Sequence, residues 1–354
     1  MMDRETRHYS VGGFVFGLEV CAPYSFMECT GPVLERICRA AMGELFPVLP
    51  TRAGDEVPPR TFVQSRDELP ESYSNFTLDL SQYEPFRVAD DMQELFTLTV
   101  KAPESESSME GETIVLNVDD TLPSYTIGRK GETTVFRFKG SDGLTTAVLT
   151  LCEDSRHGFF APVLKDGKAP SCRPVGFYVN MALMIMFTYN ASREGALLIH
   201  SSVISHDGMA NLFLGKSGTG KSTHSRLWLD FIEGAQLLND DNPVLRFHDG
   251  SLYVYGTPWS GKTPCYRNTS RKVRAIVNLK QAPHNRIERI KGIPAYSYLL
   301  SSVSSVRWDR RVMDSLTSTL SDIAMTVPCY IMECLPDEDA ARTCLSGISS
   351  LSEK

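Results

Sequence analysis

The sequence predicts a mixed α/β protein in two parts, a β-rich stretch over residues 1–175 and an α/β unit over 176–354. Three observations carry this. Alternating or β-branched runs separated by glycine turns dominate the first 160 residues. The pattern changes after Pro174 to a long apolar segment of helical length. A strand, a glycine-rich loop, a helix and a second strand then follow one another between residues 195 and 280.

In the first part, residues 8–20 (HYSVGGFVFGLEV) read as strands broken at a Gly-Gly turn. Between Thr30 and Leu45 the apolar positions Val33, Leu34, Ile37, Ala41 and Leu45 have helical spacing. Residues 49–75, rich in proline and charge, read as loop, and residues 102–112 as an exposed turn or linker. TIVLNV (113–118), TTVFRFKG (133–140) and TTAVLTLCE (145–153) read as strands. No chemical motif falls in this part, which fits an accessory or recognition module.

In the second part, residues 177–190 read as a buried helix. ALLIHSSVI (196–204) reads as one strand and ANLFLG (210–215) as the next. Residues 221–232 read as a helix and AQLLND (235–240) as a buried strand. PVLRF and LYVYG, separated by His248-Asp249-Gly250, suggest a hairpin. Residues 257–274 read as a basic loop leading to a strand at 275–280. A helix at 309–326, a strand at 328–335 and a helix at 337–350, N-capped by Asp337, close the chain.

Composition narrows the function. The 354 residues carry 36 Lys+Arg and 43 Asp+Glu, a net charge of −7. That balance argues against a general nucleic-acid binder. The nine cysteines form no CxxC pair, so no zinc site or disulfide framework is expected. With no apolar leader in MMDRETRHYS and no apolar run long enough to span a bilayer, the expectation is a cytoplasmic protein without a membrane partner.

The chemistry concentrates at Gly215-Lys216-Ser217-Gly218-Thr219-Gly220-Lys221-Ser222, which fits the Walker A pattern G-x-x-x-x-G-K-[ST]. Glycines allow backbone N–H groups to converge on an anion. The helix that follows adds its unpaired N-terminal amides, which extends the binding set to Thr223. Lys221 would neutralise the β- and γ-phosphates, and the Ser222 hydroxyl would ligate Mg²⁺. The implied cofactors are Mg²⁺ and ATP or another purine nucleotide.

Asp240 and Asp241 end an apolar strand about twenty residues after Lys221. A strand-end carboxylate beside such a loop commonly holds Mg²⁺. Adjacent strand residues point to opposite faces, so one would hold metal while the other takes a proton. A solvated turn is the plainer reading. His200 ends ALLIH, on a strand expected beside the loop strand, and is a structural or a functional histidine. Within GTPWSGKTPCYRNTSRKVR (256–274), Lys262 and Arg267 are candidates for stabilising transferred charge, while Arg271, Lys272 and Arg274 read as a solvated face.

These residues resemble a known family. The segment from about Gly195 to Lys280 is similar to the catalytic domain of HPr kinase/phosphorylase and, more distantly, to the nucleotide-binding domain of phosphoenolpyruvate carboxykinase. The matching features are His200 before the loop strand, the loop GKSGTGKS, and the strand ending in Asp240-Asp241. GTPWSGK stands where a glutamate- and glycine-rich signature would follow in HPr kinases. The resemblance implies a phosphoenolpyruvate carboxykinase/HPr kinase-like P-loop fold. It makes Asp240, Asp241, His200 and Lys221 catalytic candidates. One aspartate, with Asp240 favoured, would be the base, and either would bind metal together with Ser222. The implied activity is transfer of the γ-phosphoryl group of ATP to a hydroxyl of a protein serine or small metabolite. A nucleotide-binding sensor and a carboxykinase-like enzyme are the alternatives, and assembly into a homo-oligomer is left open.

Overall fold

The computed structural model describes residues 4–26, 77–90, 92–106, 111–119, 124–168, 170, 172–261, 263–304, 306 and 308–350. The expected helix between Thr30 and Leu45 and the loop at 49–75 lie outside the described residues.

The chain is mixed α/β with two large sheets. The first part contributes β1 (Arg4–Val11), β2 (Phe14–Cys21), β3 (Ser25–Phe26), β4 (Thr77–Leu78), β5 (Arg87–Val88), β6 (Glu94–Val100), β7 (Thr113–Val118), β8 (Tyr125–Lys130), β9 (Thr133–Lys139), β10 (Thr145–Leu151) and β11 (His157–Pro162). Except for the β3–β4 pair, these form one sheet in the order β5-β1-β2-β6-β11-β10-β9-β8-β7. The Gly12-Gly13 turn joining β1 and β2 holds both residues at positive φ, 63° and 79°, which glycine adopts without steric cost. Inward residues recur with period two, as in Phe14, Phe16, Leu18 and Val20 of β2 and Phe96, Leu98 and Val100 of β6.

Helix α1 (Cys172–Arg193) closes this core with Val179, Leu183, Met186 and Phe187, all fully buried. It also packs against the first strand of the second sheet. The boundary drawn at residues 175/176 therefore falls inside a helix that touches both sheets.

The second sheet contains β12 (Ala196–Ile199), β13 (Ser201–His206), β14 (Met209–Leu214), β15 (Gln236–Asp241), β16 (Val244–His248), β17 (Ser251–Tyr255), β18 (Ser270–Gln281), β19 (Arg286–Ile290), β20 (Val303–Ser304) and β21 (Cys329–Cys334). Its order is β15-β13-β14-β18-β17-β16-β12-β20, with β21 paired to β18 and β19. Helices α2 (Lys221–Phe231) and α5 (Glu338–Ser350) cover one face, where Phe213, Trp228, Ala340 and Cys344 meet. Helices α3 (Ile293–Ser302) and α4 (Arg310–Thr326) cover the other, where Leu212, Leu299, Leu316 and Leu320 meet. The alternation of Leu212 and Phe213 between these two cores is the period-two pattern of a doubly covered strand.

Two expectations need correction. The single strand expected at 196–204 is broken at His200. β12 pairs with β16 and β20, whereas β13 pairs with β14 and β15, so one apolar run serves two places in the sheet. His200 therefore sits at the break, and β13, not β12, lies beside β14. The basic loop ends earlier than expected, since Arg271, Lys272 and Arg274 belong to β18, whose start pairs with β17. Asp309 and Asp337 both act as helix caps, accepting from the Arg311 and Ala340 amides at 3.0 and 2.9 Å.

Candidate functional site

β14, β15 and β18 run in one direction, because β13 lies antiparallel between β14 and β15, while β14 and β18 are parallel. Their carboxyl ends share one edge, which gathers residues far apart in the sequence. Leu214 ends β14 and opens the glycine-rich loop, Asp240 and Asp241 end β15, and Gln281 ends β18.

The loop is shaped by positive φ angles that glycine alone adopts readily: 149° at Gly215, 82° at Gly218 and 106° at Gly220. Thr219 fastens it internally, its Oγ1 donating to the Lys216 carbonyl at 2.6 Å. The Gln281 amide donates to the Gly218 carbonyl from the neighbouring strand at 3.4 Å. Gly220 is the N-cap of α2 and no side chain caps the helix there. The first amides of α2, at Lys221, Ser222 and Thr223, thus have no intrahelical acceptor and lie at the positive end of the helix dipole. Lys216, Ser217, Gly218, Ser222 and Thr223 are exposed. Lys221 is buried, with its Nζ donating to the Gly215 carbonyl at 2.8 Å. Burial pushes the pKa of its ammonium down, opposed by the charges of Asp241 and Asp240.

The Ser222 hydroxyl lies 3.3 Å from Oδ1 and 3.4 Å from Oδ2 of Asp240. Asp240 is buried, and desolvation raises its carboxyl pKa. Bonds from Ser202, Ser222 and Thr263 act the other way, and the neighbouring Asp241 charge adds to the rise. Ser202 stands directly opposite Asp240 in the β13–β15 register and accepts from the buried Ser225 hydroxyl at 2.7 Å.

Asp241 faces a different environment. Its Oδ1 is 2.7 Å from His200 Nδ1, and its Oδ2 accepts from the Asn242 amide at 2.8 Å. Asn242 is fixed in turn by the Ser304 hydroxyl at 3.0 Å. The His200 amide donates to the Ser302 carbonyl at 2.7 Å, which holds the break between β12 and β13 in place. Asp241 has a φ of 122°. The other described non-glycine residues with positive φ lie between 47° and 57°, in the ordinary left-handed region. Strain of this kind is worth on the order of 1–3 kcal/mol and persists only where the surroundings over-determine it.

The structure thus brings together Gly215 to Thr223, Asp240, Asp241 and His200. It does not bring Arg267 to them. The Arg267 guanidinium donates to the Leu237 carbonyl at 2.6 Å and to Gln236 Oε1 at 3.4 Å, at the beginning of β15. Four strand residues, roughly 13 Å, separate that point from Asp241. Lys262 lies outside the described residues. Ser202, Asn242, Thr263 and Gln281 were missed by sequence reasoning. Only Ser202 had a signal, since it sits two residues beyond His200 and faces the aspartate strand.

No family model and no curated protein matches the chain. Among solved structures it is similar to the Hpr(Ser) kinase/phosphatase from Coxiella burnetii, at 16% identity and a TM-score of 0.26, over 44% of this chain and 99% of that one. Among the described residues no cluster of three or more His, Cys, Asp or Glu side chains could hold a metal, and no helix is long and apolar enough to cross a membrane.

Proposed function

We propose that the chain is a Mg-nucleotide-dependent kinase that transfers the γ-phosphoryl group of ATP to a hydroxyl. The observation that carries this reading is the meeting of Ser222 and Asp240 at the start of α2, with the His200–Asp241 pair beside them on the same sheet edge. The loop glycines and the uncapped amides of α2 suit a polyphosphate. A buried carboxylate next to a serine hydroxyl suits a divalent cation that also takes phosphate oxygens and water, so a protein-only metal cluster is not required.

In this reading the Ser222 and Asp240 oxygens would hold Mg²⁺, which when bound would neutralise charge on the phosphates. Lys221 releases the Gly215 carbonyl and turns to the phosphate oxygens. Asp241 fixes the His200 tautomer through Nδ1, leaving Nε2 to receive the proton of the acceptor hydroxyl. The acceptor oxygen forms a bond to the γ-phosphorus as the bond to the bridging oxygen breaks, and the diphosphate leaves. This reverses the division of labour expected from the sequence, where Asp240 was the favoured base. The reason is geometric, because Asp240 is buried against Ser222 while Asp241 is the partner of His200.

Incubating cell extract with γ-labelled ATP tests the proposal. Wild-type protein should transfer label to a protein or small molecule, and Lys221→Ala should not. Asp241→Asn should lower turnover by on the order of 10²- to 10⁴-fold while leaving nucleotide affinity within a few-fold of wild type. ATP binding without consumption, under every acceptor mixture, would replace the kinase with a nucleotide sensor.

A further inference from the structure

The end of β15 is tied to the first sheet through the side chain of Trp259. Trp259 lies two residues before Gly261, and the segment holding both runs alongside Asp240 and Asp241. Ser260 bridges Asp241 in antiparallel fashion, and the Gly261 amide donates to the Asp240 carbonyl at 2.8 Å. A β-carbon at Gly261 would stand 3.0 Å from the Asp241 β-carbon, so glycine is what lets this backbone approach so closely. Thr257 closes the other side. Its hydroxyl donates to the Asn242 carbonyl at 2.8 Å and accepts from the Trp259 amide at 3.2 Å.

The indole of Trp259 points away from this edge and into the core that α1 makes with the first sheet. It is 3% exposed, its ring lies 5.0 Å from Phe187 of α1, and its Nε1 donates to the Tyr83 hydroxyl at 2.8 Å. Tyr83 is fully buried and donates in turn to Asn180 of α1 at 2.7 Å. A continuous run of hydrogen bonds and packed rings therefore leads from α1 through Tyr83 and Trp259 to the backbone beside a strained aspartate.

We infer that Trp259 is a positioning residue through which the first sheet and α1 hold the Asp240–Asp241 turn in its working geometry. The strain at Asp241 needs support from outside its own strand, and the Ser260–Gly261 bridge supplies it only while the indole stays seated. The first part of the chain is on this account a brace for the site. Anything that moves Tyr83 or α1 changes turnover without touching the nucleotide loop. The catalytic consequence rests on the kinase reading above, whereas the structural coupling does not.

The test uses Trp259→Phe and Tyr83→Phe, together with the double variant: both remove the Trp259–Tyr83 hydrogen bond and keep an aromatic side chain, and Tyr83→Phe also removes the bond to Asn180. Hydrogen exchange of the Gly261 amide, followed in the full-length protein without nucleotide, reads the coupling directly. Each single variant should speed that exchange on the order of tenfold, and the double variant should add little, because both interrupt the same connection between α1 and Trp259. Arg246→Met removes a separate link between the sheets, the bond from Arg246 to the Gly12 carbonyl, and should leave Gly261 exchange unchanged. In turnover assays the two phenylalanine variants should lower kcat by about 3- to 100-fold with nucleotide KM nearly constant. Unchanged Gly261 exchange in both folded variants would overturn the inference, and so would an equal effect in Arg246→Met. If wild type consumed no nucleotide, the kinase reading would fall and the exchange result would still decide the coupling.

Discussion

Asp240 carries a cost that folding alone does not repay. Its carboxylate is buried, and its pKa is raised chiefly by desolvation. The folded protein thus holds that proton more tightly than the unfolded chain does. Ionising the group opposes folding: the loss is absent below the unfolded pKa and complete above the raised folded one. Asp240→Asn should therefore stabilise the protein near pH 7, by about 1 kcal/mol in denaturant titrations, while abolishing Mg-dependent turnover. A variant less stable than wild type at neutral pH would contradict this. The glycine loop, the aspartate pair and His200 were legible as residues because each follows from local chemistry and spacing. The partnership of Asp241 with His200 was not. It depends on a strand break and an unusual φ, and neither leaves a local signature. Arg267 was misread for a related reason: its charge was visible, but the carbonyl that engages it lies thirty residues earlier on β15.

At the scale of elements, α2 and α4 do different work. α2 presents its amino end to the site, and Trp228 anchors it under the sheet with Nε1 donating to His224 at 3.2 Å. Burial pushes the His224 imidazole down to about 4, so it stays neutral and accepts that bond at physiological pH. α4 lies on the opposite face of the sheet from α2. Of its inward stripe, Leu316, Leu320 and Ile323 pack behind the second sheet, and Val312 joins the core of α1 and the first sheet. Leu320→Ala should cost about 3 kcal/mol of stability, measured by denaturant unfolding, with nucleotide affinity unchanged in the folded fraction. A loss of affinity comparable to that of Lys221→Ala would show that α4 takes part in the site. Long helices such as α1 and α4 were legible, α1 from the length of its apolar run and α4 from its local apolar stripe. Strands β6, β19 and β20 were not, since their partners lie far away in the sequence. Helix α3 lacked a side-chain cap as well, beginning after Gly292 with no polar N-cap bond.

The described residues form two large sheets that share contacts through α1, Trp259 and the Gly12-Gly13 turn, with the candidate site on the second sheet and braced from the first. The expectation of a β-rich part and a loop-bearing part rests on composition and period. The shared core was not legible, because Phe187 and Trp259 are distant in sequence and neither has a pattern that names the other. All these features serve one claim, that the amides and Lys221 between residues 215 and 222 receive a polyphosphate. Titration calorimetry of the folded, full-length protein with MgATP tests it most directly. Saturable binding is expected that weakens at least tenfold in Lys221→Ala and weakens as pH falls toward the raised pKa of Asp240. Absence of binding by folded wild-type protein to any magnesium-bound purine di- or triphosphate would contradict it.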